Sequence, residues 1–327
     1  MEEQSPPVVV ICGSTAGVGR ATAHRFAVAG YRVGLLARGE QALAATAEEL
    51  TQLGATCLAI SVDVADAQAV ADAAQRMERE LGPIGVWVNC AMVTVFSPIR
   101  QLSAEEIHRV TDVTYLGTVH GTLAALLLMA PRNRGVIIQV GSALAYRAIP
   151  LQAAYCAAKF AVRGFTDSLR CELLHDHSDI RVCMVQLPAI NTPQFDWARN
   201  KLSKRVQPVP PIHDPDVAAR AIFSVVKRTP RELWLGAASV KAIVGTCLMP
   251  GLLDRLMARS AYAGQMTDKD DNSQRPDNLF ESQESLHRTR GRFSGRSRDT
   301  ALALSSTQVS ALLLATGGVL AVVLLLF

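Results

Sequence analysis

The strongest constraint on this chain is an alternation. Short apolar runs, many of them β-branched, recur at Val8–Cys12, Arg32–Ala37, Cys57–Val62, Val86–Asn89, Val136–Val140, Val182–Leu187 and Leu233–Leu235. Helix-length stretches separate them: Gly17–Ala29, Glu40–Leu53, Ala67–Leu81, Ala104–Met129, Gln152–Leu174 and Pro215–Lys227. Strands this apolar are buried on both faces. Strand–helix repeats then require a parallel sheet with helices on both sides, so the expected fold class is α/β, a doubly wound parallel sheet of about seven strands. Asp66 and Asp214 stand where N-caps belong, and Ser103 with Glu106 forms a capping box.

Composition adds a second feature. Hydrophobic residues make up 49% of the 327, charged residues only 19%, and mean hydropathy is positive at +0.19. That excludes a disordered or coiled-coil chain. Part of the excess is concentrated in Val309–Phe327, 19 residues without a charge. A bilayer core needs about 20 apolar residues, so residues 305–327 are expected to form a single C-terminal transmembrane helix, a tail anchor. Residues 265–304 are polar and increasingly basic (Arg288, Arg290, Arg292, Arg296, Arg298) and read as a disordered linker. By the positive-inside rule those arginines keep residues 1–264, the catalytic domain, on the cytoplasmic side of a membrane. Met1–Pro7 lacks the basic-then-apolar pattern of a signal peptide. Gly245–Leu256 is apolar and is expected to pack on the core. A net charge of +4 is too mild to imply nucleic acid. The seven cysteines include no CxxC pair, and His175 and His177 have no third ligand in sight, so no metal site is expected.

The first strand runs into Gly13-Ser14-Thr15-Ala16-Gly17-Val18-Gly19, which opens a helix. Glycines there permit a tight turn and close approach to a pyrophosphate, and a helix N-terminus attracts its negative charge. The second strand ends in Ala37-Arg38, with no acid to accept a ribose 2′-hydroxyl. A guanidinium suits a 2′-phosphate, so NADP(H) is favoured over NAD(H). Asp63-Val64, after the third strand, can receive an adenine amino group.

The fifth strand ends at Ser142. Tyr155 and Lys159 follow at i, i+4 spacing, on one helix face. A neighbouring ammonium favours phenolate, making the pair an acid/base near neutral pH. Leu144, Ile149 and Leu151 lie between Ser142 and Tyr155 and are candidate pocket residues.

These motifs resemble the short-chain dehydrogenase/reductase family over about residues 7–240, as do Asn89-Cys90-Ala91 and Pro188-Ala189-Ile190-Asn191-Thr192-Pro193. The resemblance implies a single Rossmann-type domain and hydride transfer between nicotinamide and an alcohol or carbonyl carbon. It implies Tyr155 as proton donor or acceptor, Lys159 on the nicotinamide ribose, and Ser142 orienting the carbonyl. It further implies Thr192 at the carboxamide, with Pro188 beside it, and Asn89 supporting the neighbouring strand. The segment after the sixth strand would be a substrate lid, carrying Phe195 and Trp197. A homodimer or homotetramer through the long helices is also implied.

Two departures stand out. Met92 replaces a glycine and is expected to line the substrate pocket, and Thr114 replaces an asparagine that holds a relay water. An active enzyme with a modified relay is expected, acting on a small alcohol or ketone, with the anchor favouring a lipophilic one. The competing reading is a membrane-tethered nucleotide-binding scaffold. A nucleotide-sugar epimerase would need a larger C-terminal domain.

Overall fold

The computed structural model describes residues 6–272 and 275–315. Among these, eight strands form one sheet. They are β1 (Val8–Cys12), β2 (Arg32–Ala37), β3 (Cys57–Ser61), β4 (Ile84–Asn89), β5 (Gly135–Ser142), β6 (Ile180–Leu187), β7 (Glu232–Leu235) and β8 (Ala303–Ser305). Their spatial order is β8-β7-β6-β5-β4-β1-β2-β3. The first seven are parallel. β8 adds an antiparallel edge, pairing Trp234 with Leu304, and is one strand more than the sequence pattern predicts. The order runs outward from β1 to β3, then returns to β4 on the other side of β1. Ligands bind at such a reversal, outside the carboxyl ends of the strands.

Alternate residues of β1 serve opposite layers, as the two-residue repeat of a strand demands. Val8, Val10 and Cys12 pack with Trp87 and Ile137 beneath α3 (Ala67–Leu81) and the helices after it. Val9 and Ile11 pack with Val88 and Ile138 beneath α1 (Gly17–Val28) on the other face. α2 (Glu40–Gln52) follows β2. Asp66 caps α3 by accepting from the Ala69 amide at 3.0 Å, and Ser103 and Glu106 exchange both bonds of a capping box on α4 (Ala104–Thr111).

α4 continues through one π-helical turn, Asp112–Leu116, into α5 (Gly117–Met129). The whole of Ala104–Arg132 is long and apolar enough to cross a membrane by length and composition, but half of it is buried in the domain, against α3 and β4. α6 (Ala153–His175) carries Tyr155 and Lys159, and α7 (Pro215–Ser224) precedes β7.

The expected disordered linker is corrected. Residues 275–304 lie along the domain as an arm that ends in β8. Low apolar content suggested disorder, yet the arm uses the domain's partners. Leu279 is fully buried and Phe293 nearly so. Three of the arginines read as membrane-flanking charges pair with carboxylates of the domain: Arg288 with Asp196 at 2.9 Å, Arg290 with Asp214 at 2.7 Å, and Arg292 with Asp196.

Gly245–Leu256 is also corrected. α8 (Ala237–Leu248) and α9 (Pro250–Leu256) leave Leu248, Met249, Leu252 and Leu256 exposed instead of packing them on the core. Of the expected C-terminal span, the helix Ser306–Ala315 is described, and the remainder of the span lies outside the described residues.

Candidate functional site

The turn after β1 is shaped by close approach. Gly13 has φ 81°, and a Cβ there would lie 2.6 Å from the Ala91 backbone; one on Gly19 would lie 1.9 Å from the Gly13 carbonyl oxygen. Only glycine packs this turn against the end of β4 and under α1. It forms the floor of a cavity of about 520 Å³ over the reversal point of the sheet.

The cavity brings together most of the residues singled out from sequence. Gly13, Thr15, Gly17, Val18 and Gly19 line one end with Arg38, Asp63 and Val64. Ser142, Tyr155, Lys159, Pro188 and Thr192 line the middle and far side, with Met92, Leu144, Ile149, Phe195 and Trp197 around them.

Four expected residues do not reach it. Ser14 is fully buried, its hydroxyl bonded to the Leu36 carbonyl at 3.3 Å. Asn89 is buried behind the cavity, where its amide joins Trp87 (2.9 Å), Thr122 (3.1 Å) and Gln139 (2.9 Å) and so ties β4 to α5 and β5. Leu151 turns inward at φ 68°. Thr114 sits in the π-helical turn with its hydroxyl both donating to the Val93 carbonyl and accepting from the Val93 amide, each at 3.1 Å. Its own carbonyl accepts from Thr118 at 3.1 Å. The threonine therefore clamps the strand exit instead of facing Lys159.

Charge in the cavity is governed by burial. Burial pushes the Tyr155 phenol up, the Ser142 hydroxyl opposes this, and Cys156 and Cys90 add to it. Burial brings the Lys159 ammonium down to about 8, with Cys90 opposing. Lys159 donates to the Val140 carbonyl at 2.7 Å, and its Nζ lies 5.7 Å from the centre of the Tyr155 ring. Desolvation, not the lysine, therefore sets the direction of the Tyr155 shift here. Arg38 is lowered by burial and by Arg109, with Asp63 opposing. Asp63 accepts from Arg109 at 2.5 Å.

The sequence reading missed the outer wall. Asn278, Ser282, Gln283 and His287 of the arm line the nucleotide end, and Ala242 and Met257 line the far end. No motif marks them, because they belong to segments read as linker or generic apolar helix.

Comparison with known proteins agrees with this geometry. Residues 7–202 match the family model described as short chain dehydrogenase. The chain is 30% identical over 284 residues to the uncharacterized oxidoreductase YxnA of Bacillus subtilis, covering 86% of this chain and 79% of that one. It is 33% identical over 192 residues to dehydrogenase/reductase SDR family member 7B of Bos taurus, covering 57% and 58%. An alcohol dehydrogenase from the archaeon Thermococcus sibiricus, solved with 5-hydroxy-NADP, superposes with a TM-score of 0.60 at 26% identity, over 70% of this chain and 95% of that one. A short chain dehydrogenase/reductase from Burkholderia phymatum, solved with NAD, shares the fold with a TM-score of 0.68 at 22% identity, over 78% and 96%. The chain belongs to the short-chain dehydrogenase/reductase family of oxidoreductases.

Proposed function

We propose that this chain is an NADP(H)-dependent oxidoreductase acting on an alcohol or carbonyl carbon, with Tyr155 as acid/base. The observation that carries the reading is one continuous cavity, walled at one end by the glycine turn and Arg38 and farther along by Ser142, Tyr155 and Lys159. A dinucleotide fits the cradle in kind: the glycine turn forms its floor, α1 opens onto it, and a guanidinium stands at the end of β2. Gly13, Thr15, Val18 and Gly19 would hold its phosphates, with Gly17 beside them giving its amide to the Arg288 carbonyl, Arg38 would hold a 2′-phosphate, Asp63 and Val64 the adenine, and Lys159, Pro188 and Thr192 the nicotinamide end. When bound, the nicotinamide supplies or accepts the hydride.

The chain's own residues manage the proton. Tyr155, kept protonated by burial, donates its phenolic proton to the oxygen of a carbonyl substrate; in the reverse direction the phenolate takes the alcohol proton. Ser142 donates a hydrogen bond to the same oxygen. Lys159 becomes fully cationic once anionic or hydroxyl groups replace the solvent it has lost, and its charge then stabilises the developing phenolate.

Met92, Leu144, Ile149, Phe195 and Trp197 support a lipophilic substrate. The exposed leucines of α8 and α9 and the apolar C-terminal run support attachment to a membrane. Exposed Leu123, Leu127 and Phe160 on α5 and α6 support a homo-oligomer.

The test is a panel of lipophilic ketones and alcohols with NADPH and NADH, with Tyr155→Phe as control. Turnover faster with NADPH and lost in the variant is the expected result. Tight NADPH binding with no turnover on any carbonyl would favour the scaffold reading, and a clear NADH preference would reject Arg38 as a phosphate site.

A further inference from the structure

Residues 277–291 of the arm cross the open side of the cavity's nucleotide end, and their contacts follow it from one side to the other. The carbonyls of Asn278 and Phe280 accept from Arg38 at 2.6 and 2.8 Å. The Leu279 carbonyl accepts at 2.9 Å from Arg109, which also holds Asp63. The Glu284 carboxylate accepts from the Ala42 amide in the first turn of α2 at 3.1 Å. The carbonyl of His287 accepts from Arg20 at 2.7 Å, and that of Arg288 from the Gly17 amide at 3.0 Å. Gly291 then bonds the Asn191 carbonyl at 3.1 Å, beside Thr192.

This strap does not fill the space it covers. The cavity as a whole, from the nucleotide end to the far end, measures about 520 Å³, and Asn278, Ser282, Gln283 and His287 form part of its wall. Arg38 gives the strap two of its five donors and still lines the cavity. Resting on the dinucleotide reading above, we propose that residues 277–291 are the outer wall of the nucleotide site. Asn278, Ser282, Gln283 and His287 contact the adenosine and phosphate half of the bound dinucleotide, and the strap encloses that half.

The anchoring of the strap argues for enclosure over competition. Leu279 is fully buried in the cluster that holds Val62, Val64, Val110 and Val113. Asp277 pairs with Arg199 at 2.8 Å, and Arg288 and Arg290 pair with Asp196 and Asp214. A ligand that had to displace the strap would expose that leucine and break those pairs for as long as it stayed bound. A ligand that passes beneath needs only a transient opening, and the strap then slows its escape.

The experiment uses the full chain. Trypsin cleavage after Arg288, Arg290 and Arg292 is followed with and without saturating NADPH and, in parallel, NADH. Enclosure predicts at least tenfold slower cleavage when nucleotide is bound; faster or unchanged cleavage would overturn it. Leu279→Asp, which loosens the strap, is expected to speed nucleotide dissociation at least tenfold and weaken binding to match. An unchanged or tighter Kd in that variant would show a bystander or a competitor. Should that variant fail to fold, the pair Gln283→Ala with His287→Ala is expected to weaken binding at least threefold, and no weakening would overturn the direct contacts. Strap protection by NADH alone would keep the enclosure and reject the NADP assignment. Absence of binding by either nucleotide to any of these proteins would reject both.

Discussion

Tyr155 and Lys159 share one helix face, and both are held in their neutral direction by burial. Tyr155→Phe removes the phenolic proton proposed to reach the substrate oxygen while leaving the ring. NADPH affinity is expected to stay within about threefold and turnover to fall at least a hundredfold, within the range usual for loss of a general acid; isothermal titration and steady-state assays separate the two. Lys159 is a stability cost in the nucleotide-free chain. The drop from 10.5 to about 8 corresponds to about 3 kcal/mol of disfavoured charge. Below pH 8 both folded and unfolded states carry the proton and the cost is present in full. Between about pH 8 and 10.5 the unfolded chain binds more protons than the folded one, so stability from this group rises with pH. Lys159→Met should therefore be more stable than the parent at pH 7, by roughly 1–2 kcal/mol once the lost bond to Val140 is deducted. That advantage should vanish by pH 10.5, while activity is lost at every pH. Paired urea titrations at the two pH values check the sign; a variant less stable at pH 7 would contradict it. Glu284 makes the third prediction. Its carboxylate lies 2.6 Å from where a Gly39 Cβ would be, at the N-terminus of α2 and close to the Arg38 region. An anion there opposes a 2′-phosphate, so Glu284→Gln should raise the NADPH-to-NADH affinity ratio, by roughly fivefold for about 1 kcal/mol of relieved repulsion. Kd values for both nucleotides measure it.

Elements carry the next level of cause. The π-helical turn between α4 and α5 places Thr114 where its hydroxyl satisfies both backbone groups of Val93, at zero exposure. Thr114→Val keeps the shape and leaves a buried N–H and C=O unpaired. The expected loss is about 2–6 kcal/mol, at roughly 1–3 per orphaned group, read as a lower thermal midpoint. A smaller effect would mean that water reaches Val93. Threonine in place of asparagine was visible in the sequence, but its role was not, because side-chain direction depends on the extra residue in the turn. The strands, the glycine turn and the Tyr155–Lys159 spacing were readable because each rests on local periodicity or on short-range sterics. The arm was not readable. Its order depends on Arg290 meeting Asp214, 76 positions earlier, and on Leu279 entering a cluster built by the residues that follow β3 and by α4, and composition carries no trace of such pairings. Gly245–Leu256 misled for a related reason: its apolar residues pointed to burial, but α8 turns Ala238, Ser239 and Ala242 toward the cavity and leaves Leu248 exposed, and α9 buries none of its residues.

At the scale of the whole molecule, the arm joins parts that the βα repeats leave separate. It touches α2 through Glu284 and α4 through Arg109, and the lid through Trp197 and Asp196. It reaches the short strands at Ile212 through Ser297, and the far edge of the sheet through β8. A segment so distributed should unfold with the domain, not before it. Phe293 is the place to ask. It packs edge-on against Phe195 at 5.7 Å, in a cluster with Phe96, Val206 and Ile212. Phe293→Ala removes a nearly buried ring, and the usual cost of such a cavity is about 3–5 kcal/mol. If the arm folds as part of the domain, that cost lowers one common transition. Tryptophan fluorescence reports Trp197 and Trp234, which contact the arm, together with Trp87 in the core; far-UV circular dichroism reports the sheet and helices. Coincident midpoints from both probes, shifted together in the variant, are the expected outcome. An early fluorescence transition that moves alone would show an arm docked on a domain stable without it, and the strap would then open independently of global unfolding.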